Sequence, residues 1–139
     1  MEYNSLYIYG VVDGKVTSTF KNMGIGGRSD SVYCIPFKDI SLVVSDTPFQ
    51  EYDPTEENTL IHENVMQALL QENLTVAPMR FCTVLKSRDD AMKLLHSAYL
   101  IFKKNILKVK NKSEFSVKMF LMIEQLQKEI QELKKVVKS

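Results

Sequence analysis

Several residue groups in this 139-residue chain could carry chemistry, and each falls short of the full pattern that its chemistry needs. His62-Glu63 opens like a helical zinc motif. The second histidine belongs four residues on, where both imidazoles would share a face, but Met66 stands there. Gly24-Ile25-Gly26-Gly27 suggests a phosphate loop, yet no third glycine has dinucleotide spacing and no Lys-Ser or Lys-Thr follows. No helix start comes next to donate its free amides. Cys82 and a distant histidine outline a nucleophile pair; between Phe81 and Thr83, however, it reads as a buried, inert thiol on a strand. Arg80 lies in the same apolar segment. It either meets a carboxylate, with Glu63 and Glu114 as candidates, or sits at a sheet edge with its charge in water. A small enzyme or metal-binding domain would require His62, Cys82 and Arg80 to converge in one pocket. His62 and His96 read instead as half-buried, hydrogen-bonded side chains, and neither an enzyme nor a cofactor is expected.

The elements that must position these residues follow from periodicity. Leu6–Val12 is β-branched and aromatic and stops at Asp13-Gly14, as a strand does. Ser31–Phe37 and Ile40–Ser45, separated by Lys38-Asp39, predict a hairpin. Asp53 and Pro54 predict a helix start, with Asp53 as cap and Glu56 completing the box. Ile61, Val65, Met66, Leu69 and Leu70 then form one helical stripe ending at Asn73. Leu74–Leu85 reads as extended, with Pro78 at an edge or a bulge, so that Arg80, Cys82 and Val84 share one face. Ser87 restarts a helix whose stripe is Met92, Leu95, Tyr99, Phe102, Ile106 and Val109. After a polar break at Lys110–Ser113, Phe115–Phe120 predicts a short strand. Ile123, Leu126, Ile130, Leu133 and Val137 alternate in steps of three and four, the spacing of a coiled-coil seam. That seam docks on another protein, on a copy of itself, or on its own sheet. The expected fold is α+β: a ferredoxin-like antiparallel sheet with helices on one face, plus a C-terminal amphipathic helix.

Eighteen basic and 17 acidic residues leave a net charge of +1, which argues against nucleic acid as a partner. Neither a signal peptide nor an apolar run long enough to span a membrane is visible. Cys34 and Cys82 have no paired spacing, so a reducing cytoplasm is the expected location.

Taken in order, Tyr7–Val12, Gly24–Gly27, Ile40–Ser45, Pro54–Asn58, His62–Val65, Ala77–Val84 and Glu114–Lys118 resemble the gas vesicle L/F (GvpL/GvpF) family over residues 6 to 118. The resemblance implies a ferredoxin-like first domain over residues 1–112, a strand and amphipathic helix over 113–139 that begin a second, and a cytoplasmic, non-catalytic, chaperone-like role at gas vesicles. It also implies two kinds of partner, the small hydrophobic shell subunit and other accessory proteins. On that reading Arg80, Phe81, Ile123, Leu126, Ile130 and Leu133 are the partner-binding candidates. Two departures stand out: the family usually has glycine where this chain has Cys82, and its members are longer.

Overall fold

The computed structural model describes residues 5–25, 30–48 and 51–138; Gly26 and Gly27 of the glycine loop, and Phe49, lie outside them. The elements run β1 (Ser5–Asp13), β2 (Val32–Phe37), β3 (Ile40–Thr47), α1 (Glu56–Gln71), β4 (Val76–Leu85) and α2 (Arg88–Lys138). The strands form one antiparallel sheet in the order β2-β3-β1-β4.

β1 is central, paired on one edge with β3 and on the other with β4. Its apolar residues change parity partway along. Leu6, Ile8 and Val11 enter one core, whereas Tyr7, Tyr9 and Val12 enter the other. A regular strand cannot place Ile8 and Val11 on one face, because its side chains alternate strictly. The sheet resolves this with a bulge: Ile8 pairs with Val44 and Gly10 with Val43, leaving Tyr9 as the extra residue. Gly10 has no room for a side chain, since a Cβ there would lie 2.8 Å from the Ala77 carbonyl oxygen.

Two compact units divide the chain, Met1–Leu107 and Lys108–Ser139. In the first unit both sheet faces are covered. α1 contributes Val65 and Leu69 to the core of Tyr7, Tyr9 and Val12. The early part of α2 contributes Ala91, Leu95, Phe102 and Ile106 to the core of Leu6, Ile8 and Val11. The helices therefore lie on opposite faces, not on one as expected. The reason is visible in β1 and β3, which are apolar at successive positions and so must be covered twice.

Local signals explain the element ends. Thr55, not Asp53, caps α1: its side chain accepts from the Asn58 amide at 3.1 Å, while the Asp53 carbonyl accepts from the Asn58 side chain. Ser87 caps α2 as its spacing predicts, accepting from the Asp90 amide at 3.1 Å. The hairpin turn is Lys38-Asp39, with Lys38 at φ +52°. Asp39 holds α2 to this turn by accepting from Lys103 at 2.7 Å and from the Tyr99 hydroxyl. These two bonds keep the Asp39 carboxyl low, at about 2.

Two further expectations are corrected. The predicted strand Phe115–Phe120 is helical, because α2 continues without interruption from Arg88 to Lys138. Its alternating apolar pattern has no partner strand among the described residues, and the stretch contains neither glycine nor proline. Lysine, asparagine and serine at 110–113 each cost a helix only about 0.5 kcal/mol. Leu70, assigned to the buried stripe of α1, is 55% exposed; His62 takes its place beside Val65 and Leu69.

Candidate functional site

The run from Ala77 to Cys82 is where β4 leaves the regular ladder. Thr83 pairs with Ile8 and Pro78 with Gly10, so four residues, Met79 to Cys82, stand opposite Tyr9 alone. Pro78 thus occupies an end strand and borders a bulge, both positions that tolerate its missing amide. Face alternation is lost through this excursion. Met79 packs toward α2, while Phe81, Cys82 and Val84 pack toward α1. Arg80 does not share their burial. It is exposed, and no ion pair of Arg80 is present among the described residues, so of its two expected placements the sheet edge holds.

A network of buried polar groups fixes the shape of the bulge. The Tyr7 hydroxyl lies 2.9 Å from His62 Nδ1 and accepts from the Cys82 amide at 3.0 Å. His62 also hydrogen bonds to the Met79 main chain, in the sense that favours a protonated ring, as a carbonyl acceptor does. With a ring N–H committed to Met79, neutral His62 receives the Tyr7 proton at Nδ1. The Cys82 sulfur in turn accepts from the Tyr52 amide at 3.2 Å. Phe81 closes the cluster, its ring 6.4 Å from that of Tyr7 and 6.1 Å from His62. Beyond them Tyr9 bonds to Ser45 at 2.8 Å and accepts from the Ile25 amide at 2.9 Å, which ties down the start of the glycine loop.

Burial dominates the electrostatics of this cluster. Burial lowers the His62 pKa and raises that of Tyr7 to about 12, so both are neutral near pH 7. Burial likewise pushes the Cys34 thiol up to about 11. Cys82 has φ +64°, the left-handed region that glycine occupies at least cost. The position at which the resembled family carries glycine is therefore one where the backbone favours glycine.

Of the three residues of the enzyme reading, His62 and Cys82 are brought together through Tyr7, and Arg80 is not. Among the described residues no group of three or more histidine, cysteine, aspartate or glutamate side chains could hold a metal. Among the described residues no helix is long and apolar enough to cross a membrane. The sequence reading missed Tyr7, Tyr9 and Tyr52 as the centre of the network. A Tyr-x-Tyr pair in a strand that is otherwise aliphatic was the available signal, since buried hydroxyls need partners.

The remaining candidates, Ile123, Leu126, Ile130 and Leu133, lie in the second unit and are about half exposed or more, from 48% at Ile123 to 65% at Leu133.

Comparison with known proteins gives consistent matches. The family model described as gas vesicle synthesis protein GvpL/GvpF matches residues 5–139. Gas vesicle protein F1 of Halobacterium salinarum is 29% identical over 116 residues, covering 82% of this chain and 54% of that protein. Gas vesicle protein F of Haloferax mediterranei is 30% identical over 86 residues, 60% of this chain and 39% of that one. The crystal structure of gas vesicle protein GvpF from Anabaena sp. PCC7120 superposes with a TM-score of 0.65 at 22% identity, over 76% of this chain and 43% of that one. That from Microcystis aeruginosa gives 0.63 at 20% identity, over 75% and 43%. These two show a shared fold. The chain spans about half the length of the relatives it matches over most of its own length.

Proposed function

Because the chain belongs to the gas vesicle synthesis protein GvpL/GvpF family, we propose that it is a non-catalytic accessory protein of gas vesicle assembly. It acts in the cytoplasm, binding the small hydrophobic shell subunit and other accessory proteins in a chaperone-like way. The observation that carries this reading is the edge formed by β4. It is an end strand of the sheet, its main chain departs from the ladder at Met79–Cys82, and Arg80 stands exposed there. An end strand offers main-chain donors and acceptors to an added strand, and Arg80 offers a carboxylate partner. Phe81 supports this edge from within, its ring against Tyr7 and His62.

The ferredoxin-like description of the first domain, residues 1–112, is part of the proposal. The strand order and the α1 crossover from β3 to β4 support it. Among the described residues between β1 and β2 there is no helix, and Ile25 is buried.

The test is co-expression with a gas vesicle shell subunit. The chain should keep the subunit in the soluble fraction and co-purify with it, and Arg80→Glu should weaken that association while leaving the circular dichroism spectrum unchanged. If the unaltered chain binds neither the shell subunit nor any other accessory protein, the reading is wrong. If Arg80→Glu binds as well as the unaltered chain, the β4 edge is not the contact.

A further inference from the structure

The second unit carries an apolar seam whose chemistry specifies an occupant. Ile123, Ile130 and Val137 recur every seven residues along α2, interleaved with Met119, Leu126 and Leu133. All six are exposed, and Ile130, Leu133 and Val137 lie together with Lys134 on one open face of the helix. Two features select among ways of covering them. First, one seam position holds only the β-branched Ile, Ile and Val, while the other holds Leu twice. In parallel coiled coils that combination favours two strands over three or four. Second, the seam is flanked by Glu129 on one side and Lys134 on the other. When two such helices run parallel and in register, the flank holding Glu129 faces the next heptad's opposite flank on the other helix, which holds Lys134. Each Glu129 then meets Lys134 of the second copy, twice per dimer. In an antiparallel pair like flanks face each other, and no such complementarity arises.

We propose that residues Met119–Val137 form a parallel, in-register, two-stranded coiled coil with a second copy of this chain, aligned by Glu129–Lys134 pairs between the copies. This is independent of the shell-subunit reading, which rests on the β4 edge. Covering the six seam residues on both helices removes on the order of 1,000 Å² from water, near the lower limit of specific interfaces. The seam spans fewer than three heptads, so the dimer is weak and its population depends on concentration.

Sedimentation equilibrium of the 139-residue chain over a wide concentration range provides the test. A monomer–dimer equilibrium is expected. Glu129→Lys and Lys134→Glu, both at exposed positions, should each weaken dimerisation about tenfold, since two attractive contacts become repulsive. An equimolar mixture of the two variants should recover association, because the mixed dimer restores both opposite-charge pairs. The double variant E129K/K134E should likewise recover it alone. A chain that stays monomeric at every concentration, or that forms trimers or tetramers, overturns the proposal. So do single variants that associate as tightly as the unaltered chain, which is the antiparallel result. Far-UV circular dichroism of each variant confirms that α2 remains helical, and a recovered mixture excludes misfolding as the cause of the single-variant loss.

Discussion

Replacing Tyr7 with phenylalanine isolates the contribution of one buried hydroxyl. The ring remains in place, so its packing against Tyr9 at 4.8 Å and against Tyr52 at 5.9 Å is retained and no cavity of consequence opens. Two contacts disappear: the one to His62 Nδ1 at 2.9 Å and the one accepted from the Cys82 amide at 3.0 Å. Tyr7 is fully buried and His62 is 8% exposed, so water does not replace the hydroxyl there. Each orphaned polar group costs about 1–3 kcal/mol, somewhat less at the half-buried Cys82 amide, which gives a loss of about 2–4 kcal/mol for Tyr7→Phe. Urea unfolding followed by far-UV circular dichroism would show a lower midpoint with an unchanged slope, since the surface exposed on unfolding is the same. Amide exchange should localise the effect, with the Cys82 amide losing protection in the folded state. A loss below about 0.5 kcal/mol, within the range of an ordinary surface substitution, would refute the reasoning. Unchanged protection at Cys82 would refute it as well.

Two other outcomes follow from the same site. The pKa of His62 is lowered from its ordinary 6.5 by burial, so the unfolded chain binds its proton more readily than the folded one. The stability this supplies is complete above 6.5 and is lost as pH falls through that value toward the lowered folded pKa. The slope is at most about 1.4 kcal/mol per pH unit. Unfolding measured from pH 7.5 down to mildly acid conditions should show this decline, and His62→Gln should flatten it; an equal slope in the variant would count against it. At Cys82, with φ +64°, the usual ranking of small residues should invert. Cys82→Gly should be more stable than Cys82→Ala by about 1 kcal/mol, because alanine pays the left-handed penalty and glycine does not. Chemical denaturation of the two variants decides it, and an alanine variant that is equal or better would contradict the assigned backbone conformation.

Much of the sheet and of the first part of α2 was legible in the sequence, because those features are local. Runs of β-branched and aromatic residues marked β1 to β3, a two-residue turn marked the hairpin, and Ser87 marked a helix start. What escaped notice depended on pairing between distant residues. The bulge opposite Tyr9 follows from the register of β1 against both β3 and β4, and only that register explains why Phe81 and Cys82 face the same way. The shift of the α1 stripe toward His62 has the same origin, since a histidine counts as apolar surface only when a hydroxyl such as Tyr7 meets its nitrogen. The long α2 was misjudged for the opposite reason. Lys110–Ser113 looked like an end to the helix because it is polar, but polarity without glycine or proline does not stop a helix. Arg80 was the ambiguous case, and the bulge settles it by turning that residue to water.

The central place of β1 also imposes an order on synthesis. Its two edges are completed by segments made at very different times: Tyr7 pairs with Ser45 on one side and with Val84 on the other. The β2–β3 hairpin is local and can close as soon as it emerges. The opposite edge of β1 must wait for a strand that leaves the ribosome roughly 70 to 80 residues later, several seconds at ordinary translation speed. During that interval the N–H and C=O groups along one edge of β1 are unpaired, and Tyr7 and His62 lack the Cys82 and Met79 groups that later satisfy them. The nascent chain is thus most exposed to mispairing just before β4 arrives, and slowing translation between α1 and β4 should lower the yield of folded protein.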